Sequence, residues 1–243
     1  IACDDMGNTL LTGTTSSNNF PTSGIIFQPA NAGNADAFIV KINTAGGLMW
    51  STYYGGNLKD EGFGIAVDNN GNIIVQGSTR SNPFPVTAGA YQGTFAGGTS
   101  DAFVLKFDGN GNRLWATYFG GSGGSGTNAG NDEGFGVAIG ATDLIYLCGD
   151  TYSTLLPVDA TCSYQAVPGG GAEGQYLAKF DADGNFICAS YLGGFNNDHG
   201  EMIGSGTIAV YDSSVYITAS TNNGYIPTPG AYQGNYGGGT MDA

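Results

Sequence analysis

The sequence predicts an all-β protein, and more narrowly a β-propeller of four-stranded antiparallel blades, with about three and a half blades present. Three observations lead to this prediction: a long internal repeat, four β-rich segments within each repeat unit, and turn sequences of the kind that close hairpins. No segment carries an apolar stripe of helical period, so essentially no helix is expected.

The internal repeat is visible in several recurring segments. Asp36–Ile42 (DAFIVKI) returns at 101–107 as DAFVLKF, and Trp50–Gly56 (WSTYYGG) returns at 115–121 as WATYFGG. An aromatic residue followed by glutamine recurs at steps of 64, 73 and 68 residues. Stacked β-solenoids have shorter units of about 20–30 residues, so the propeller is the favoured architecture.

The second unit shows how one blade is built. Its β-rich runs are GFGIAV, IIVQGST, AFVLKF and RLWATYF, joined in pairs by DNNGN and DGNGN, which are typical hairpin turns. Because blades narrow toward the axis, the small residues of the first run predict an inner strand, and Trp and Tyr in the last run predict an outer strand. The predicted blades span 1–56, 57–121, 122–194 and an incomplete 195–243, all part of a single propeller domain.

Composition and charge exclude several classes of function. Six Lys and Arg stand against twenty Asp and Glu, a net charge of −14, which argues against nucleic acid and anionic lipid as partners. No run approaches 18 apolar residues, so no membrane insertion is expected. The 44 glycines suit many tight turns. The low Lys content and the abundance of Ser, Thr, Asn and Tyr favour a secreted or cell-surface protein.

The four cysteines are Cys3, Cys148, Cys162 and Cys188, and none belongs to a C-x-x-C motif, so a zinc site is not expected. One disulfide is compatible with their number, for example Cys148 with Cys162, and buried thiols are the alternative. The chain starts without Met and both ends lie inside a repeat, so we expect it to be part of a longer polypeptide.

Taken together, the motifs DAFV-K, W-TY-GG, D-G-IAVD-GN and GA-Q resemble the SBBP β-propeller repeat of bacterial secreted proteins over nearly the whole chain. The segment GIAVDNNGNIIV also resembles the first hairpin of NHL propellers. Blade three departs from the pattern, with Leu156-Pro157 in place of Phe-Pro and Gly174 in place of Asp. The resemblance implies a secreted or surface propeller, frequent in Bacteroidetes-type bacteria and often exported by the type IX machinery, which would be a partner in transit. It implies no single activity.

The long connections are predicted to lie on the face opposite the tight turns, where binding residues usually lie. Aromatic side chains there could stack on sugars or anchor a protein partner, and the candidates are Phe84, Tyr91 and Phe95. Phe84-Pro85 and Tyr91-Gln92 have counterparts in other units. This recurrence favours the alternative that these side chains pack the loop onto its own blade.

Acidic residues recur just before each predicted inner strand, where a closed ring would place them around the mouth of the central channel. The ligand-binding candidates at these positions are Asp60, Glu61, Asp132, Glu133, Asp198 and His199. Carboxylates of Asp60, Asp132 and Asp198 could converge on Ca²⁺. Their equivalent recurrence favours instead a role in accepting backbone N–H bonds within their own turns, so no cofactor is predicted beyond calcium as a candidate.

Catalysis has little support in the sequence, and no catalytic residue is assigned. His199 is the one histidine, so no Ser-His-Asp set can be assembled. The glycine-rich segment 120–126 lacks the G-K-[ST] of a phosphate loop. The sequence therefore predicts a non-enzymatic extracellular propeller that binds protein or glycan partners or acts as a scaffold. The alternative is a polysaccharide-active propeller enzyme that uses carboxylates such as Glu61 and Glu133 at the channel mouth.

Overall fold

The computed structural model describes residues 1–169, 173–193, 198–199, 208–221 and 231. Every regular element in this part of the chain is a β-strand, as the sequence predicts. Within these residues, no helix has the length and apolar character needed to cross a membrane.

Three four-stranded antiparallel sheets make up most of the described structure, and in each the strands are paired in chain order. Blade one contains β1 (Ala2–Cys3), β2 (Thr9–Thr15), β3 (Asp36–Ile42) and β4 (Leu48–Tyr54). Blade two contains β5 (Asp60–Val67), β6 (Ile73–Thr79), β7 (Asp101–Phe107) and β8 (Arg113–Phe119). Blade three contains β9 (Asp132–Ile139), β10 (Ile145–Thr151), β11 (Gly174–Phe180) and β12 (Phe186–Leu192).

Two short strand pairs follow blade three. Strand β13 (Asp198–His199) pairs with β16 (Ser220–Thr221), and β14 (Ile208–Tyr211) pairs with β15 (Ser214–Ile217). Both pairs are antiparallel.

The first strand of blade two lies beside the first two strands of blade one and beside the first strand of blade three. Strand β5 packs between β2 and β9, and β14 packs against β9. This arrangement confirms the predicted order, in which the Gly- and Ala-rich strand is innermost and the Trp- and Tyr-bearing strand is outermost. The described sheets do not close into a ring, as expected for part of a propeller.

A β-bulge interrupts each of the inner strands β5 and β9 at the Phe of its Gly-Phe-Gly segment. The extra residue turns Phe63 and Phe135 toward each other, and their rings meet edge to face with centroids 5.5 Å apart. Opposite the bulge, a Cβ on Gly77 would lie 1.8 Å from the Glu61 carbonyl oxygen, so only glycine fits there.

The hydrophobic core is divided into two clusters, each at the junction between consecutive blades. The first packs Leu10, Ile39 and Tyr54 of blade one against residues such as Phe103 and Phe107 of blade two. The second packs the opposite face of blade two against blade three. Each fully buried Phe stabilises the fold by roughly 1.5–3 kcal/mol, so the blade junctions carry most of the hydrophobic stabilisation.

The tight turns hold the hairpins through their first Asp. Asp68 Oδ1 accepts the backbone N–H groups of Asn70 and Asn72 at 2.9 and 2.8 Å, and Asn72 Nδ2 donates to Asp68 Oδ2. The turns that begin at Asp108 and Asp181 have the same three bonds. The Oδ1 atom of each Asp is thus used within the turn, which is the role of Asx residues in hairpins.

Candidate functional site

The Asp at the start of the inner strands β5 and β9 is a buried connector between blades. The Thr79 hydroxyl donates to Asp60 Oδ1, while the Ser81 hydroxyl and the Gly56 N–H donate to Oδ2 at 2.8 and 2.7 Å. Gly56 follows the outer strand of the preceding blade, so this carboxylate ties two blades together. Asp132 has the same three partners in Thr151, Ser153 and Gly121. Both carboxylates are fully buried.

A second buried Asp lies beside each connector. It is the first residue of the third strand of the preceding blade. Asp101 Oδ2 accepts bonds from the Ala96 N–H at 2.7 Å and from Gln92 Nε2 at 3.1 Å. Gln92 Oε1 in turn accepts the Gly120 N–H at 3.0 Å. A Cβ on Gly120 would lie 2.8 Å from Asp101 Oδ1 and 2.9 Å from Asp132 Oδ2, so the two carboxylates flank this glycine. At the preceding junction Asp36, Asp60, Gln28 and Gly55 have the same arrangement.

Burial raises the pKa of the carboxyl groups in these pairs. The pKa of Asp101 is raised to about 8 by burial, with a further contribution from the charge of Asp132, and burial raises the pKa of Asp132 to about 6. Burial also raises the pKa of Asp36 and of Asp60. Asp101 Oδ1 has no hydrogen-bond partner, and neither does its counterpart Asp36 Oδ1. We therefore expect Asp101 to be protonated at neutral pH, because an uncharged carboxyl group tolerates burial better.

A Lys–Trp contact on the outer half of blade one and of blade two forms a second junction with the blade that follows. Lys106 Nζ and Trp115 Nε1 both donate to the Ala182 carbonyl oxygen in the tight turn of blade three, at 2.9 and 3.1 Å. Lys106 also forms a buried ion pair with Asp68, with Nζ 2.8 Å from Oδ2. The same contacts join blades one and two through Lys41, Trp50, Gly109 and Asp4.

Next to the buried connectors, Glu61 and Glu133 are partly exposed at the long-loop end of the inner strands. Glu61 Oε1 lies 2.8 Å from Lys59 Nζ in a solvent-accessible ion pair. Burial raises the pKa of Glu133, and the negative charges of Glu61 and Glu173 raise it further, against the positive charges of Arg80 and Lys59. Within the described residues, no group of three or more His, Cys, Asp or Glu side chains has the geometry of a metal site.

The predicted loop aromatics lie within the blade packing. Phe84 is 3 % exposed, and its N–H donates to the Tyr118 hydroxyl at 2.7 Å. Phe95 is partly buried against Tyr118, with ring centroids 5.9 Å apart. Tyr91 is 40 % exposed and stacks on Phe186 of the next blade at 4.5 Å. The structure thus uses these rings for packing on their own blade or on the following one.

The remaining predicted positions contribute less to a site. Asp198 and His199 form strand β13, and their side chains lie outside the described residues. The glycine-rich insertion after blade two is docked through the Leu155 N–H, which donates to the Ser122 carbonyl oxygen at 3.0 Å. The cysteine beside Cys162 is Cys188 and not Cys148, which is buried in β10.

Sequence reasoning missed three elements of the junctions: the bulged Phe63–Phe135 contact, the bridging Gln92, and the pairing of Lys106 with Trp115. All of them lie in segments that recur from unit to unit, namely GFG, YQ, DAFVLK and WATY. Recurrence at a fixed place in each blade is therefore the signal that could have identified them as contacts between blades.

Comparison with known proteins agrees with this repeat architecture. A family model described as Beta-propeller repeat, SBBP, matches residues 50–85. This segment runs from the outer strand of blade one through the first hairpin of blade two, so the repeat type is the one that the sequence motifs indicate.

Two curated proteins are similar to longer stretches of the chain. The regulatory protein FlaEY of Caulobacter vibrioides is 27 % identical over 153 residues, which are 63 % of this chain and 15 % of FlaEY. An uncharacterized WD repeat-containing protein of Acanthamoeba polyphaga mimivirus is 31 % identical over 160 residues, which are 61 % of this chain and 11 % of that protein. The chain therefore spans only a small part of the curated relatives it matches.

Proposed function

We propose that this propeller segment is a non-enzymatic binding or scaffold module of an extracellular or cell-surface protein, and that its long-loop face holds a protein partner. The observation that supports this is the contrast between adjacent acidic residues on the inner strands. Asp60 and Asp132 are enclosed by hydrogen bonds from their own blade and the preceding one. Glu61 and Glu133, one residue further along, remain partly exposed.

The chemistry of these glutamates favours a partner with Lys or Arg side chains. Burial raises the pKa of Glu133 most, the negative charge of Glu61 raises it further, and a cation from a partner would relieve this repulsion. The net charge of −14 would attract a basic partner over a longer range. Because the junction contacts hold the inner strands rigid, little conformational entropy would be lost on binding.

The binding test uses an array of Lys- and Arg-rich peptides, with uncharged and acidic peptides and a glycan array as comparisons. We expect basic peptides to bind, with an affinity that falls as salt rises. The double variant Glu61→Gln/Glu133→Gln should weaken binding at least tenfold, which corresponds to about 1.4 kcal/mol.

The matched control is Asp183→Asn, which removes an exposed carboxylate from a tight turn at the opposite end of blade three. It should leave the affinity within about twofold, because the carboxylate lies outside the proposed face. If Asp183→Asn weakened binding as much as the double variant does, binding would depend on net charge alone and not on the proposed face. If glycans bound and peptides did not, the proposed partner would be a glycan and not a protein.

The alternative of a polysaccharide-active enzyme is favoured by one observation, the raised pKa of Glu133 close to the charge of Glu61. A carboxyl group with a raised pKa that acts as the general acid, together with a second carboxyl group, is the pair used in glycoside hydrolysis. Release of reducing sugar from a polysaccharide panel, lost in Glu133→Gln while the variant keeps its melting temperature, would establish this alternative and overturn the non-enzymatic proposal.

The extracellular location rests on composition and on the resemblance to secreted repeat proteins, for which export machinery of the type IX kind is the transient partner. Digestion of intact producing cells with an added protease tests it. Loss of this chain, while an intracellular marker protein survives, is the expected result. Protection of the chain until the cells are lysed would contradict the proposed location.

A further inference from the structure

Two cysteines of blade three lie side by side at its outer edge. Cys188 belongs to the outer strand β12, and Cys162 belongs to the long connection between β10 and β11. Cys188 Sγ donates to the Cys162 carbonyl oxygen at 3.9 Å. Cys162 is exposed and Cys188 is partly buried, so a reagent in solution can reach the pair.

The backbone holds the two segments together without help from the sulfur atoms. The Tyr191 N–H donates to the Gln165 carbonyl oxygen at 3.0 Å, and the Gln165 N–H donates to Ser190 Oγ at 2.9 Å. These bonds lie two or three residues from each cysteine. In blade two, Gln92 makes the equivalent bonds with Thr117 and Tyr118. The docking of loop on strand is therefore a property of the repeat, and it keeps the two thiols at a high effective concentration.

The cysteines also occupy a special place in the repeat. Cys188 is opposite Lys179, as Trp115 is opposite Lys106 in blade two. Blade three thus lacks the Trp that, in blades one and two, donates a hydrogen bond to a tight turn of the following blade. In blade one, the loop glycine Gly24 packs against the Trp at this place, since a Cβ on it would lie 2.6 Å from Trp50 Cβ. Blade one thus has a loop–strand contact at this place, and in blade three the loop residue and the strand residue that meet there are both cysteines.

From these contacts we propose that Cys162 and Cys188 form a disulfide that staples the long loop of blade three to its outer strand. The oxidant is a small-molecule or enzyme-borne disulfide. The Cys162 thiolate attacks one sulfur of the donor, forms a mixed disulfide and releases the first donor thiolate. The Cys188 thiolate then attacks Cys162 Sγ, forms the protein disulfide and releases the second donor thiolate. The two cysteines lose two protons and two electrons, and the donor is reduced to two thiols.

The order of the two attacks follows from the environment of each thiol. Burial raises the pKa of Cys188 to about 11, with a further contribution from the hydrogen bond to the Cys162 side chain. A thiol with a raised pKa is a slow first nucleophile at neutral pH, whereas Cys162 is exposed to the donor. The staple does not depend on the identity of the proposed partner, and it would persist in the oxidising environment of a secreted protein.

The test incubates the purified protein with oxidised glutathione and follows intact mass, peptide linkage and melting temperature. We expect a loss of about 2 Da, corresponding to two hydrogens, and a peptide that links residues 162 and 188 under non-reducing conditions. The linkage closes a loop of moderate length, so the melting temperature should rise by roughly 5–10 °C and fall back on reduction.

Single variants make the result specific. Cys162→Ser and Cys188→Ser should each abolish both the linkage and the gain in melting temperature, whereas Cys3→Ser should abolish neither. A linkage of Cys162 to Cys148 or to a second molecule would overturn the proposal. So would two stable glutathione adducts without an internal linkage. The disulfide-linked peptide of the unaltered protein is identified by its mass, so this measurement remains informative even if a variant folds poorly.

Discussion

Replacing Lys106 with methionine should lower the free energy of unfolding by about 3–5 kcal/mol, although the change keeps most of the side-chain volume. The Lys106 ammonium group lies 2.8 Å from Asp68 Oδ2, and the two side chains are 5 % and 0 % exposed. Burial alone would raise the pKa of Asp68, but hydrogen bonds from Lys106 and Asn72 lower it. Without Lys106 a buried carboxylate would lose its counter-charge, and the Ala182 carbonyl oxygen would lose a donor.

Urea unfolding followed by intrinsic fluorescence measures the effect, and the midpoint should fall by about 1–2 M. The matched control is Lys59→Met, which breaks the Lys59–Glu61 pair with exposures of 43 % and 23 % and should cost less than about 1 kcal/mol. The double variant Lys106→Met/Asp68→Asn should recover part of the loss, because it removes the unpaired charge. A cost for Lys106→Met no larger than for Lys59→Met would refute the reasoning.

Three further predictions concern the blade junctions. The free energy of unfolding should fall as pH rises from about 4 to about 8, because the pKa of Asp101 is raised to about 8 in the folded state and the unfolded chain releases this proton at lower pH. Urea midpoints measured across this range should therefore fall less steeply for Asp101→Asn than for the unaltered protein. Gly120→Ala should lower the free energy of unfolding by about 1–3 kcal/mol, because the added Cβ would meet two carboxylates. The control Gly93→Ala should change it by less than about 0.5 kcal/mol, because a Cβ at this position has open space around it. Phe84→Ala should lower it by about 3–5 kcal/mol, because this ring is 3 % exposed; a stable variant with altered ligand binding would instead restore the loop-face role of Phe84.

Much of the blade architecture could be predicted because it depends on local signals. The Asx-Gly turns at 68–72 and 108–112 define two hairpins of blade two, and the Gly- and Ala-rich run starting at Gly62 identifies its inner strand. The strands are paired in chain order, so no long-range information is needed to build a single blade.

The roles of the recurring polar residues could not be predicted in the same way, because their partners come from a different blade. Asp60 and Glu61 are adjacent in the chain and similar in chemistry. The first is enclosed by Ser81 and by Gly56 of the preceding connection, and the second is partly exposed. Strand alternation separates the two side chains, but only the packed neighbour determines which of them is buried.

By itself, the sequence determined the repeat, the all-β class, the four strands of a blade and their order from inside to outside, because period and turn chemistry are local properties. Tertiary structure alone decided how the side chains are used: Asp101 beside Asp132, Lys106 reaching the turn of blade three, and Cys188 beside Cys162. These contacts join residues about 26 to 76 positions apart, and whether two such atoms meet depends on how blades stack and where loops dock. Burial, which raises the pKa of Asp101 and of Cys188, is a property of that stacking and is not encoded at any single position.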